Sequence, residues 1–361
     1  MVSSRTAAHL TLRKADEPGD AWDALVAELP GRHLFQTDAW ARAKAPAGWR
    51  PERLVIEEDG QPVGAAQTLF RPLLLLGRTV CYVPRGPCVD PDDSEALGAL
   101  LCGLKETARA RGAILVTVDP DIREGHAGAL AVLRQHGFRP AAEQVQFRTT
   151  MLLNLARPEE EMRAAMRREA RYYVNVARRN QVSIEEGSSS DLPLFYRLYR
   201  ETAVRQRFLL RPWPYYRAVW ESLLASDRGR LFFARHGGGT LAGALIGHFA
   251  DRAWYLYGAS RNEGRELRPN HLLQWEIIRW ARERGCTTYD LWGAPDRPGP
   301  DDPMAGVYQF KRSLGAHLQA WIGAWDYPVS RPLYFAWTVI VPRLLAVWRR
   351  ASLRGSGSAN T

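Results

Sequence analysis

ARARGAILVTVD (residues 108–119) and ARERGCTTYD (residues 281–290) are one phrase written twice. Each closes an apolar helical pattern, EALGALLCGLKET (95–107) in one case and NHLLQWEIIRW (270–280) in the other. Each then passes through a helix-stopping Gly into a short apolar strand that ends in Asp. The flanking sequence repeats too. RLVIEEDGQPVGAAQTLF (53–70) reads as a hairpin around Asp-Gly, and LFFARHGGGTLAGALIGHF (231–249) as one around three Gly residues. A further strand follows each hairpin, RTVCYVPRG (78–86) and RAWYLYGAS (252–260). The order strand, turn, strand, strand, helix, strand therefore occurs twice, with Gly112 and Gly285 about 173 positions apart. This predicts tandem α/β (α+β) modules. RTTMLLNLARPEEE (148–161) marks the join, where a strand gives way to a new helix. The expected division is 1–150 for the first domain, 151–328 for the second and 329–361 for a C-terminal helix and tail.

At 361 residues and 46% apolar content the chain has material for two cores. Its net charge of +10 predicts attraction to polyanions, whether RNA, nucleotide-linked substrates or anionic lipid. Only four of its 49 basic residues are lysine: Lys14, Lys44, Lys105 and Lys311. Where Arg is the default surface cation, a retained Lys marks a place that needs a compact, tunable ammonium. Lys44 and Lys311 are singled out, the first closing LFQTDAWARAK (34–44), the second lying among aromatic and Gly residues in GVYQFKRSLGA (306–316). The four Cys residues form no CxxC pair, and the eight His residues include no HExxH, so neither zinc nor a disulfide framework is expected. The N-terminal stretch lacks the apolar run of a secretory signal, which points to a cytoplasmic protein.

PEEEMRAAMRREARYYVNVARRNQ (158–181) reads as one helix, acidic at its start and basic at its end, in accord with the helix dipole. RPLYFAWTVIVPRLLAVWRR (331–350) is interrupted by Pro342 and Arg343 and is too short to span a bilayer. Trp337, Trp348, Arg343, Arg349 and Arg350 make it either a basic amphipathic helix on the inner membrane face or a helix packed on the protein body.

Mixed strands followed by a helix entered from a strand is the arrangement of GNAT acyltransferases. A CoA-binding member carries paired glycines at that helix start to hold the pyrophosphate. GASRNEGRELRPNHLLQW (258–275) and RGPCVDPDDSEALGAL (85–100) have no such turn, so no CoA cofactor is expected. Eight segments then match one family in order. FQTDAWARAK (35–44), YVPRGPCVD (82–90), VTVDPD (116–121) and REARYYVNVARRNQVSI (168–184) come first. WYLYGAS, RPNHLLQWEIIRWA, YDLWGA and GVYQFKRSLGA follow. With them the chain resembles the FemABX family of peptidyltransferases, which use aminoacyl-tRNA to build the side-chain bridge of peptidoglycan precursors. The resemblance implies two tandem GNAT-like acyltransferase domains, with no coiled-coil hairpin inserted in the second.

It also implies aminolysis of an activated ester, for which no enzyme nucleophile is needed and none is apparent. What such a reaction needs is positioning and stabilisation of developing negative charge. By resemblance, Lys311 supplies that charge and Phe310 stacks on the terminal adenosine of the tRNA. Lys44 and Arg211 are expected to hold the diphosphate of a lipid II or UDP-MurNAc-pentapeptide acceptor, with Tyr215 adding a hydroxyl donor. Asp119 is either a base that positions the amine or a helix N-cap. Arg85 reaches either a phosphate or a carboxylate. Tyr255 and Tyr257 alternate along a strand and should share a face, packing in the core or lining a peptide groove. Two rivals remain: a CoA-dependent N-acyltransferase on an envelope polysaccharide or peptide, and a degenerate module that only binds tRNA or membrane.

Overall fold

The computed structural model describes residues 9–73 and 77–340. The Pro342–Arg350 part of the expected C-terminal helix and the tail beyond it lie outside the described residues. Arg331–Phe335 is helical and continues to Ile340 as a wider helical turn.

Among the described residues fifteen strands form two sheets. The first-half strands are β1 (Leu10–Lys14), β2 (Arg50–Glu58), β3 (Gln61–Leu73), β4 (Arg78–Val83), β5 (Cys88–Val89), β6 (Ala113–Val118) and β7 (Arg139–Pro140). Next come β8 (Thr149–Asn154), β9 (Ser183–Gly187), β10 (Gly229–His236), β11 (Gly239–Phe249), β12 (Arg252–Ser260) and β13 (Thr288–Gly293). β14 (His317–Ala320) and β15 (Trp325–Pro328) close the series. The helices are α1 (Gly19–Glu28), α2 (Asp38–Lys44), α3 (Ser94–Ala110), α4 (Ala127–Gln135), α5 (Glu159–Ala165) and α6 (Arg168–Arg179). They continue with α7 (Leu192–Gln206), α8 (Trp213–Ala225), α9 (Pro269–Glu283), α10 (Ala305–Ser313) and α11 (Arg331–Phe335).

The repetition in the sequence is a repetition in space. β2 and β3 pair across Asp59–Gly60, and β10 and β11 across Gly237–Gly238, all four turn residues having positive φ. That is the two-residue turn whose twist suits antiparallel strands. In both halves the next strand is antiparallel to the hairpin and the one after the helix is parallel to it: β4 with β6 across α3, β12 with β13 across α9. The fold is mixed α/β, two GNAT-like units in tandem.

Two features are invisible in the repeat. β15, at the far end of the second half, returns to pair with β6 and β7 of the first sheet, so that sheet is complete only at Pro328. β8 fills the matching place beside β13 in the second sheet. The halves are joined further by a shared apolar core in which Trp22, Phe35 and Trp40 of the first meet Trp220, Phe233 and Trp254 of the second. Trp22, Trp220 and Trp254 have no solvent exposure, so the two halves share one apolar core at their contact. α2 lies on α8, with the Ser222 hydroxyl donating to the Ala39 carbonyl at 2.8 Å.

Two expectations need correction. The helix expected over 158–181 is broken at Met166–Arg167 into α5 and α6. The break is stabilised locally: the Arg171 guanidinium donates to the carbonyls of Arg163, Ala164 and Met166, and the Arg167 amide donates to the Ser313 carbonyl. Tyr255 and Tyr257 do not share a face. A bulge places Leu256 between the pairs Ile246–Tyr255 and Leu245–Tyr257, and one extra residue reverses the alternation. Tyr255 therefore packs into the second-half core, whereas Leu256 and Tyr257 both face the seam.

Candidate active site at the seam

Lys44 ends α2 and reaches across the seam. Its ammonium donates to the Tyr215 hydroxyl at 2.7 Å and lies over the Trp40 ring, 4.2 Å from its centroid. The guanidinium of Arg211, just ahead of α8, also lies over the Tyr215 ring, 4.8 Å from its centroid. Tyr257 is buried against Tyr199, Tyr216 and Trp220 below. Burial, with the Arg211 charge adding to it, pushes the Lys44 ammonium down to about 7. No carboxylate pairs with either cation among the described residues. Two cations, a phenol and aromatic walls with no acid paired to them among the described residues can hold an anion.

Lys311 occupies the last turn of α10 and is 5% exposed. Its ammonium donates to the carbonyls of Gly293 at 2.6 Å and Trp292 at 3.3 Å. Both carbonyls belong to an irregular stretch of β13, where the register against β8 slips between Asp290 and Gly293 and Trp292 has φ of 64°. An irregular strand is what frees two adjacent carbonyls for a side chain. Burial lowers the Lys311 ammonium to about 8, with Asp290 opposing the shift. With two of three N–H donors committed, one is left to give. Phe310 stands edge-on to His271, ring centroids 5.1 Å apart, and His271 in turn meets Tyr173 at 4.9 Å. Arg268 covers Tyr173 at 4.1 Å, Tyr172 is 55% exposed, and Arg167 and Arg168 are exposed next to it. This makes a basic, aromatic ridge beside Phe310.

Asp119 and Arg85 form a third group. The Asp119 carboxylate accepts from the Tyr82 hydroxyl at 2.8 Å and from the Arg85 backbone N–H at 2.5 Å. No helix starts there, so it caps a turn and not a helix. Burial, opposed chiefly by the Arg85 charge, raises it to about 7. Arg85 itself finds a carboxylate: its guanidinium donates to Asp121 at 3.0 Å and to the Phe147 carbonyl at 2.8 Å, and it is 2% exposed.

Asp121 is the centre of a network that sequence reasoning missed. It also accepts from Arg252 of the second half at 2.7 Å, and Arg252 donates onward to Asp290 at 2.5 Å. Burial opposes ionisation of Asp121, yet Arg85 and Arg252 together hold it below the usual carboxylate range. Asp290 has its one ion pair among the described residues with Arg252, and there burial, with the Asp121 charge adding to it, wins and raises it. Its other oxygen accepts from the Trp292 amide at 2.7 Å, which pins the irregular strand that serves Lys311. His33 lies 4.0 Å from Asp121 and is kept neutral by burial, with Nδ1 accepting from the Phe35 amide. One signal for this network stood in the repeat: both copies end their strand in Asp, at Asp119 and Asp290.

Lys44, Arg211, Tyr215 and Tyr257 thus come together, Lys311 and Phe310 form a second group, and Arg85 and Asp119 a third. Aromatic rings connect them. Trp40 beneath Lys44 stacks on Phe35 at 3.7 Å, Phe35 meets Trp292 at 5.4 Å, and the Trp292 carbonyl takes the Lys311 ammonium. Arg85 lies over the same Trp292 ring, 5.4 Å from its centroid. Trp40, Phe35 and Trp292 were absent from the expected site because a Trp or Phe in a sequence reads first as core. Among the described residues no His, Cys, Asp and Glu cluster could hold a metal. No helix among them is long and apolar enough to cross a membrane.

Comparison with known proteins agrees with this architecture. Residues 160–312 match the model of the acetyltransferase (GNAT) domain and residues 19–129 that of the FemAB family. The chain is 29% identical to the lipid II:glycine glycyltransferase of Staphylococcus epidermidis (strain RP62A) over 391 aligned positions, covering 89% of this chain and 94% of that one. With the enzyme of the same name from Staphylococcus aureus (strain USA300) it shares 28% over 396 positions, with the same coverage. The crystal structure of FemX superposes with a TM-score of 0.83 at 28% identity, over 89% of this chain and 98% of that one. A tandem GNAT protein from the clavulanic acid pathway, at TM-score 0.53 and 15% identity over 89% of this chain and 99% of its own, shares the fold. Sequence relatives spanning both halves, and a solved structure that covers 89% of the chain, make this acyltransferase similar in both halves to proteins of the FemABX family.

Proposed function

We propose that this enzyme moves an aminoacyl group from aminoacyl-tRNA to the side-chain amine of the stem peptide in a peptidoglycan precursor, with the lipid-linked form as acceptor. The observation that carries this reading is the convergence of Lys44, Arg211 and Tyr215 from opposite halves with no acid beside them. A diphosphate fills such a site: the forked guanidinium takes paired oxygens and the ammonium acts as a point charge. The staphylococcal relatives are named for lipid II, which favours the lipid-linked acceptor over a nucleotide-linked one. The domains at 1–150 and 151–328 then act as two lobes, with the acceptor held at their seam and the donor on the second.

In the reaction the stem-peptide amine attacks the carbonyl carbon of the aminoacyl ester. A C–N bond forms, the C–O bond to the tRNA ribose breaks, and the amine proton leaves to solvent or to a nearby base while the ribose oxygen regains one. The uncommitted N–H of Lys311 faces the charge that develops on these oxygens, a role on the scale of about 3–4 kcal/mol. Phe310 and the ridge of Tyr172, Tyr173 and Arg268 suit the unpaired bases of a tRNA 3′ end, which stack on aromatic rings. Binding of that donor should weaken steeply with salt. At the start of α9, where a GNAT enzyme would hold the pyrophosphate of CoA, Pro269 removes a backbone donor and Arg268 adopts φ of 58°. A transfer RNA donor places the reaction on the cytoplasmic side of the membrane.

The test is direct. Purified protein is incubated with a full set of charged tRNAs and with lipid II, and product masses are read. Mass added equal to one or more amino acids, dependent on charged tRNA, is the expected result. Turnover with acetyl-CoA and none with any charged tRNA overturns the reading.

A further inference from the structure

We infer that the tip formed by the end of α7 and the segment 207–210 is a membrane-docking surface that seats the enzyme on an anionic bilayer beside the diphosphate site. The inference rests on the lipid-linked acceptor proposed above, and the observations behind it are separate from those of the site. α7 stops where Arg207 takes φ of 55°, and the chain then turns outward before α8. Leu209 is 89% and Val204 76% exposed, the two most exposed large apolar side chains among the described residues. Val204, Phe208, Leu209 and Leu210 line an open cavity of about 490 Å³ with Arg200 and Arg207 at its edge. Arg197, Arg200, Val204 and Arg207 are spaced three or four apart and so share one side of the helix.

Arg200 and Arg207 make no ion pair among the described residues, and Glu201 is the one acid in the last two turns. Exposed apolar side chains ringed by unpaired guanidinium groups are what an interfacial surface presents to an anionic leaflet. Position argues for the same occupant. Leu210 adjoins Arg211, which shares Tyr215 with Lys44. A lipid-linked diphosphate sits at headgroup level with its prenyl tail in the acyl layer, so the enzyme must bring Lys44 and Arg211 to that depth. The side chains that reach the acyl boundary at that point are those of Leu209, Phe208 and Val204.

The experiment is flotation of the full-length protein with vesicles of phosphatidylglycerol and phosphatidylcholine, against vesicles of phosphatidylcholine alone. Binding to the anionic vesicles is expected. The double substitution Val204→Ser, Leu209→Ser should weaken it about a hundredfold, the loss of two buried apolar side chains. Turnover of lipid II in vesicles should fall in parallel, while turnover of a water-soluble acceptor without the prenyl tail stays at the wild-type level. Both positions are exposed, so the fold is not at stake. As a check on depth, an environment-sensitive fluorophore on Leu209→Cys should shift to the blue with anionic vesicles. Equal vesicle binding by the double variant and wild type, or an unmoved fluorophore spectrum, overturns the inference. So does a wild-type dimer in solution that Leu209→Ser turns into a monomer, because a second copy of the chain then covers the tip. Loss of transfer to the soluble acceptor in the wild type would count against the proposed reaction and leave the docking surface standing.

Discussion

Two charged clusters bridge the halves of this molecule, and each is built around a pair of cations. In one, Arg85 and Arg252 enclose Asp121, Asp290 takes the other end of Arg252, and every carboxylate has a guanidinium. In the other, Lys44 and Arg211 both lie over the Tyr215 ring, 4.9 and 4.8 Å from its centroid, with no acid paired to either among the described residues. The first is neutralised from within and acts as scaffold. The second is left unbalanced: the Lys44 ammonium is lowered first by burial, and the Arg211 charge adds to the shift. Buried charge alone therefore says little about function; the presence or absence of its counter-charge separates the two cases.

The comparison is broken most severely at Asp121. Asp121→Asn leaves Arg85 and Arg252 buried with one carboxylate between them, and should destabilise the fold by about 3–5 kcal/mol. Chemical denaturation measures it, and a loss under about 1 kcal/mol would mean that the network is not what joins the halves.

Lys311 lies between the two cases, because Asp290 reaches it only at a distance and backbone carbonyls hold it. Lys311→Met removes a costly buried charge and leaves two carbonyls without their donor, so stability should change by at most about 1–3 kcal/mol. Turnover should fall by about a hundredfold to a thousandfold, with the acceptor KM little changed. A variant that turns over normally would make Lys311 a strut for the irregular strand and no more.

Lys44 should behave in the opposite way to Asp121. Lys44→Met deletes an unbalanced cation, so the fold should be as stable as the wild type or more so, while the acceptor KM rises by about 2 kcal/mol or more in binding. The sign with pH follows from its lowered value. The unfolded chain holds this proton up to about 10.5 and the folded chain only to about 7, so between those values the wild type gains stability on the variant as pH rises. Acceptor affinity moves the other way, weakening as pH passes upward through about 7 and the ammonium is lost. A variant whose stability and KM track the wild type across that range would remove Lys44 from the site.

The duplicated architecture was legible because its signals are local. Asp59–Gly60 and Gly237–Gly238 state their turn chemistry outright, and Gly112 and Gly285 stop their helices with positive φ. Lys44 and Lys311 were singled out by composition and, with Arg211, by a family resemblance, and Lys44 and Arg211 do come close across the seam. What failed to read were choices made between distant parts of the chain. The return of β15 to the first sheet depends on β6 having an open edge some two hundred residues earlier. The break in the basic helix depends on Arg171 serving three carbonyls in place of solvent. The flip at Leu256 follows from a register that only β11 can set. Arg85 could have met phosphate or carboxylate on sequence alone, and the position of Asp121 settles it.

The finest test of the unbalanced cluster is Tyr215→Phe. Among the described residues the hydroxyl is the one hydrogen-bond acceptor of the Lys44 ammonium, at 2.7 Å, while the ring beneath Arg211 at 4.8 Å is untouched by the change. If the ring is what steadies the cations, the variant should bind the acceptor as the wild type does, because a cation over an aromatic face keeps its attraction without the hydroxyl. If the hydroxyl counts, two effects oppose each other. The ammonium loses a partner worth about 1 kcal/mol, which weakens the site, yet it also becomes freer to turn wholly toward a bound diphosphate. The net change in acceptor KM should be no more than about fivefold. The Lys44→Met, Tyr215→Phe double variant separates the two: if the hydroxyl acts only through Lys44, adding Tyr215→Phe to Lys44→Met should change nothing further.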